Sequence, residues 1–115
     1  MRNGTMFNQK DIILIPFPFS DLSGAKQRPA LVISNKRINV SDDRICCLIT
    51  SVEQKSGMPI STSDIHTGSL PLKSWIKPHR LFTINKNIVR KKICTISDEM
   101  HEKVIHKIHE IVKHL

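Results

Sequence analysis

The chain has 115 residues and a formal net charge of +8 at pH 7, from 18 Lys and Arg against 10 Asp and Glu. That length supports one modest core, so a single domain over residues 1–115 is expected. The longest apolar run of the N-terminal part, residues 12–19, is too short for a membrane span or signal peptide and is broken by proline, which points to a cytoplasmic protein. Excess positive charge suits a polyanion such as RNA or DNA, or an acidic protein, and equally suits plain solubility.

Residues 1–9 are mostly polar and read as a frayed end, Phe7 excepted. The aliphatic run at residues 12–15 predicts a strand buried on both faces. Residues 20–27 have loop composition, and residues 29–34 form a second predicted strand. After a polar, turn-prone stretch at 35–43, "RICCLITS" at 44–51 predicts a third strand. Residues 52–68 read as a long polar loop. Residues 69–77 and 80–84 predict two strands broken at Pro78-His79, and residues 89–96 predict the last one.

The tail changes period. Val104, Ile105, Ile108, Ile111, Val112 and Leu115 recur at helical spacing on one face. Ser97 is a natural N-cap, Asp98 and Glu99 suit the first turn, and Lys113 and His114 suit the last. Short strands followed by one helix predict a mainly β, α+β fold: a small, strongly bent antiparallel sheet or barrel with a C-terminal α-helix against it.

Cys46, Cys47 and Cys94 are odd in number and lack CxxC spacing, and neighbouring strand residues point to opposite faces, so buried free thiols are expected rather than zinc ligands. The histidines of the tail, His101, His106, His109 and His114, are spread around the helix and do not converge on one ion. No metal or other cofactor is expected.

Three prolines frame the most unusual segment, "PFPFSDLSGAKQRPALVIS" at residues 16–34. Pro16 and Pro18 remove two N–H donors from one side of their strand, so regular pairing cannot continue along that side. Phe17 and Phe19 project from the other face, as core residues or as the floor of an open groove. Pro29 holds Arg28 extended at a loop–strand junction. A guanidinium fixed beside an edge without hydrogen-bond partners suits a phosphate, although a solubilising arginine would occupy the same spacing.

"DIILIPFPFSDLSGAKQRPALVIS" resembles the N-terminal signature of the MazF/PemK toxins of bacterial type II toxin–antitoxin systems. "CLITS" at residues 47–51 resembles the family strand that ends in Thr-Ser, and "LPLKSWIKPHRLFTINKNIVRKKICTIS" resembles the strands that follow. The resemblance covers residues 10–114. It implies an SH3-like β-barrel, usually a homodimer. It also implies a sequence-specific, metal-independent endoribonuclease that cuts single-stranded RNA by attack of the 2′-hydroxyl, leaving a cyclic phosphate and a 5′-hydroxyl. An acidic antitoxin is the implied inhibitor.

Arg28 matches the family arginine and Thr50 the threonine of the Thr-Ser pair; these are the implied catalytic residues. A guanidinium remains cationic and suits the developing phosphorane charge, while a hydroxyl donates, accepts or relays a proton. Ser51 ranks below Thr50 because it faces the other way. The chain departs from the family pattern at Lys10, where many relatives carry glycine. It departs again at Pro78-His79-Arg80, where many carry an acidic residue. His79 is thereby a third catalytic candidate, as an imidazole suited to proton transfer.

Lys73, Lys77 and Arg80 are candidates to line an RNA path beside Trp75, which stacks a base or else belongs to the core or a dimer interface. Lys26, Gln27 and Phe17 complete the candidate RNA-binding set. Two other classes stay open at this point: a CcdB-like non-enzymatic toxin that binds DNA gyrase, and a non-catalytic nucleic-acid-binding module.

Overall fold

The computed structural model describes residues 6–17 and 26–115, with the backbone alone at Phe17. In chain order they form β1 (Asp11–Phe17), β2 (Lys26–Val32), α1 (Lys36–Asn39), β3 (Asp43–Thr50), β4 (Met58–Ile60), β5 (Ile65–Gly68), β6 (Ser74–Asn85), β7 (Lys91–Ile96) and α2 (Asp98–Val112). The seven strands make one antiparallel sheet in the order β4-β6-β3-β2-β1-β7-β5. Its outermost strands, β4 and β5, are neighbours in sequence, joined by a 3₁₀ turn at Thr62–Asp64. That short link draws the two edges together into a nearly closed barrel.

Apolar residues occupy both parities of the central strands, and a strand turns successive side chains to opposite faces. Ile12, Leu31, Cys47, Ile49 and Ile76 therefore share one face with Cys94, Ile96 and the helix residues Met100 and Val104. Ile13, Ile15, Ala30, Val32, Cys46 and Leu48 fill the other, covered by Phe7, Phe82, Ile84 and Val89. Burying one such aliphatic side chain contributes about 1.5–3 kcal/mol, so the two layers outweigh the weak preferences of short strands. The prediction of a first strand buried on both faces holds.

Cys46 and Cys47 lie in opposite layers, and all three thiols are free and buried. Burial pushes the Cys46 and Cys47 thiols up to about 12 and Cys94 to about 11. Arg44 is fully buried as well. Its guanidinium donates to the carbonyl oxygens of Met6, Phe7, Ser41 and Asp43 at 2.7–2.9 Å. Desolvation lowers its pKa, and these acceptors replace the lost water. Met6 is thus tied down beside Phe7, where composition excepts only Phe7 from a frayed end.

Three other expectations need correction. Residues 52–68 are not one polar loop but contain β4, the 3₁₀ turn and β5. Residues 69–73 are not strand, and β6 runs unbroken through Pro78. It does so by a bulge: Lys77 faces Leu48 and Leu81 faces Cys47, so Pro78, His79 and Arg80 have no counterpart on β3. Within residues 35–43, α1 forms one turn, with the Asn39 amide donating to the Ser34 carbonyl at 2.7 Å.

The C-terminal helix starts as expected. Ser97 Oγ accepts from the Met100 N–H at 3.1 Å, with Asp98 and Glu99 in the first turn. It ends at Val112, however, so Lys113 is the C-cap and His114 lies beyond. The apolar stripe also leaves the barrel: Met100 and Val104 are buried, while Ile111, Val112 and Leu115 are exposed. Among the described residues, no helix is long and apolar enough to cross a membrane.

Candidate active site

The site begins with the side to which each strand turns its N–H groups. Directly after β2 the Ile33 N–H donates to the Ile45 carbonyl at 2.9 Å, so odd-numbered residues of this segment direct their donors toward β3. Pro29 belongs to that series and has no donor. The β2–β3 ladder ends one residue short of it, at Ala30↔Leu48. Carrying the same register two residues further places Arg28 opposite Thr50, beyond the last backbone pair.

Pro16 plays the corresponding part on β1. The Leu14 carbonyl accepts from the Arg90 N–H at 2.8 Å, so Pro16, two residues on, presents its donorless nitrogen to the same side. The β1–β7 ladder ends at Leu14↔Lys91, and β1 continues with β2 alone through Pro16↔Gln27 and Phe17↔Lys26. Pairing thus stops along one side of β1, as the prolines predict. Pro18 and Phe19 lie outside the described residues.

A cavity of about 260 Å³ lies at this opened seam, lined by Arg28 and Thr50 together with Gln27, Pro29, Ser51 and Ser74. Leu14, Ile49, Ile93 and the segment Leu70–Leu72 supply its apolar walls. Ile93 is free to do so because it is the extra residue of the β7 bulge, between Ile12↔Cys94 and Ile13↔Lys92. Thr50 is only 7% exposed. Its Oγ1 accepts from the Val52 N–H at 3.1 Å, which fixes the hydroxyl and leaves its proton to donate. Arg28 is half-buried, and among the described residues no carboxylate or carbonyl engages its guanidinium. Ser51 also lines the cavity, although its strand alternation opposes Thr50, because β3 has ended there.

Trp75 stands directly opposite Thr50 in the β3–β6 ladder. Directly opposed residues share a face, so Thr50 and Trp75 share one, and the extended β2–β3 register adds Arg28 to their row. Lys73 holds its ammonium 5.7 Å from the Trp75 ring centroid, a cation–π contact. Gly57 lets the preceding loop pack against this residue, since a Cβ there would meet Trp75 Cβ at 2.9 Å. Lys77, half-buried, follows Trp75 on the same face of β6. A second cavity, about 600 Å³, shares Leu70 and Leu72 with the first and reaches Lys73.

Other candidates are placed differently. Lys26 is exposed at the start of β2, and the side chain of Phe17 opposite it lies outside the described residues. His79 and Arg80 sit on the β6 bulge. His79 lines a separate cavity against α2 and does not join Arg28 and Thr50. The bulge is the physical reason, because three unpaired residues break the alternation that carries Trp75 and Lys77. Among the described residues, no group of three or more His, Cys, Asp or Glu is placed to hold a metal ion.

Two features of the site escape the sequence reading. The wall formed by residues 70–72 reads as strand, and its leucines line cavities instead. Pro29 reads as a constraint on Arg28, whereas it also ends the β2–β3 ladder. Counting N–H directions along β2, as along β1, is the signal that finds it.

The half-buried Arg28 and the fixed Thr50 hydroxyl line one cavity at the opened seam of a small basic barrel. A family model described as "PemK-like, MazF-like toxin of type II toxin-antitoxin system" matches residues 8–112. The chain belongs to that family. No curated protein sequence matches it. Solved structures share its fold: a MazE–MazF structure (Form-III) from Deinococcus radiodurans has a TM-score of 0.73 at 16% identity, covering 91% of this chain and 94% of that one. An endoribonuclease from a Mycobacterial species gives 0.71 at 13%, with coverage of 94% and 93%. A Mycobacterial endoribonuclease in complex with its cognate antitoxin gives 0.65 at 13%, with coverage of 90% and 91%.

Proposed function

We propose that this chain is an endoribonuclease toxin that cleaves single-stranded RNA at short sequences and is inhibited by an acidic antitoxin. One observation carries the reading: Arg28 and Thr50 line one cavity, and the β2–β3 register extended past Ala30↔Leu48 sets them opposite each other. Structural neighbours described as an endoribonuclease, and as an endoribonuclease in complex with its cognate antitoxin, support it.

In the proposed step the 2′-oxygen of one nucleotide attacks the adjacent phosphorus, and the bond to the 5′-oxygen breaks. The 2′-hydroxyl loses its proton and the leaving oxygen gains one, so the products are a 2′,3′-cyclic phosphate and a 5′-hydroxyl. Arg28 neutralises the charge that builds on the phosphorane oxygens, and Thr50 donates its remaining proton to one of them. Such preorganised donors are each worth roughly 10²–10³ in rate. The reaction as written needs no metal, and His79 is given no part in it.

Trp75 supplies a face on which a neighbouring base stacks, and Lys73 and Lys77 hold the flanking phosphates. The antitoxin's acidic segment covers the same basic surface, folding as it binds. The chain acts as a homodimer in this proposal.

The test is incubation of purified chain with varied single-stranded RNAs in EDTA, followed by mapping of fragment ends. Cyclic phosphate and 5′-hydroxyl ends at a recurrent short motif are expected. Intact RNA across all sequences would sink the reading. Gyrase-linked DNA damage without RNA decay would move the chain to the CcdB-like class.

A further inference from the structure

The cavity of about 600 Å³ lies between the corner that joins β4 to β5 and the segment at residues 69–73. It adjoins the seam cavity, because Leu70 and Leu72 line both. Gly68, another lining residue, packs on Ile93, which lines the seam. A Cβ on Gly68 would meet the Ile93 carbonyl oxygen at 2.9 Å, and its φ is +80°. The corner is fixed from within: the Ser61 N–H and Oγ donate to Asp64 Oδ2 at 2.8 and 3.0 Å. The Ser97 N–H, at the start of α2, donates to the Asp64 carbonyl at 2.7 Å.

The lining discriminates among occupants. Ile60, Ile65, Leu70 and Leu72 make it largely apolar, and Leu72 is 64% exposed between the two cavities. Its polar side chains are hydroxyls and one ammonium, with no carboxylate among them. Asp64 occupies the Ser61 hydroxyl, whereas those of Thr62 and Ser69 make no hydrogen bond among the described residues. A free hydroxyl donates or accepts as its partner requires, which suits the mixed edge of a nucleobase. An acidic peptide would find a single cation here, and a basic one no anion. An unpaired base held between apolar side chains, with its edge on neutral hydroxyls, matches the whole lining.

Lys73 sets where that base belongs in the strand. It lines the cavity, and its ammonium lies 5.7 Å from the Trp75 ring centroid. A strand with one base in the cavity and another on Trp75 would carry a phosphate past this cation.

We propose that this cavity binds one unpaired nucleobase of the RNA strand whose scissile phosphate lies at Arg28, and that Thr62 and Ser69 select which base enters. The identity of the strand rests on the ribonuclease reading above. The pocket governs sequence preference and takes no part in the chemical step.

Two measurements on wild type and on the double variant Thr62→Val, Ser69→Ala test this. Both positions are exposed and neither lines the seam, so the variant is expected to fold with Arg28 and Thr50 in place, and its melting temperature checks this. The first measurement is end mapping on a randomised single-stranded RNA. One position of the cleaved motif should lose roughly tenfold in base preference, while the best sequence is cleaved within roughly threefold of the wild-type rate. The second is amide NMR with hexamers of deoxyadenosine, deoxycytidine, deoxyguanosine and thymidine, which lack the attacking 2′-hydroxyl and stay intact. One hexamer should shift the wild-type Thr62 and Ser69 amides more than the others do, and the variant should respond alike to all four.

An unchanged motif overturns the proposal. A loss of rate spread evenly over all motif positions also overturns it and assigns Thr62 and Ser69 to general support of the site. Absence of hexamer-induced shifts at these two amides overturns it whether or not RNA is cleaved. If no preparation cleaves RNA yet the shifts are base-selective in wild type and not in the variant, the pocket stands and the nuclease reading falls.

Discussion

Extending the β2–β3 register past its last pair sets Thr50 opposite Arg28, one residue beyond Pro29, which has no backbone donor. The same register sets Pro29 opposite Ile49, so Pro29→Val restores an N–H that reaches toward the Ile49 carbonyl. The ladder should then extend and narrow the gap between the arginine and the threonine. Hydrogen exchange should show a protected amide at position 29, with cleavage lowered by roughly tenfold and thermal stability unchanged or higher. An unprotected amide together with full activity would show that Pro29 does not hold the seam open.

The Thr50 hydroxyl accepts from Val52 and keeps one proton to give. Thr50→Val preserves shape and removes both functions, and should cost about 1 kcal/mol of stability and roughly 10²-fold in cleavage. Thr50→Ser should recover most of the rate. Single-turnover kinetics with melting curves for both variants check this; equal rates for Val and Ser would remove the hydroxyl from the mechanism.

Burial raises the folded pKa of Cys46 and Cys47 to about 12 and of Cys94 to about 11, above the ordinary thiol value. An unfolded chain therefore ionises first as pH rises, and the folded state retains more bound protons. Stability is full below about pH 8.5 and falls as pH climbs toward 11–12, with a limiting slope of about 1.4 kcal/mol per pH unit for each thiol. Urea titrations from pH 7 to 11 check the sign. Native protein should resist thiol reagents at pH 7.5, and three labels should appear on unfolding.

Lys10 has φ of +82°, a left-handed conformation that suits glycine. Its side chain pairs with Asp98, whose carboxylate is held below its ordinary pKa chiefly by that hydrogen bond. Exposed ion pairs contribute little, whereas the backbone strain costs about 1–2 kcal/mol. Lys10→Gly should therefore raise the melting temperature by a few degrees, and Asp98→Asn should leave it near wild type. A lower melting temperature for Lys10→Gly would mean that the ion pair outweighs the strain.

The first three strands, the last one and the C-terminal helix were legible because each carries a strong apolar period or a cap, as Ser97 does. β4 and β5 were not, since they are too short to show a period and add little beyond Met58, Ile60 and Ile65 to the core. Their hydrogen bonds go to β6 and β7, which local composition does not reveal. Pro78 reads as a strand break, yet a three-residue bulge absorbs it. Arg28 and Thr50 were legible from family resemblance; their juxtaposition was not, because it depends on a register between two strands. His79 drew notice for its imidazole, but side-chain chemistry carries no information on which cavity a bulge faces.

Single-turnover cleavage of a single-stranded RNA by Arg28→Ala, beside wild type and with melting temperature as the control for folding, tests the central claim most directly. The account predicts a loss of roughly 10²–10³-fold in rate with the fold intact. Cleavage by a folded Arg28→Ala protein at the wild-type rate would contradict it.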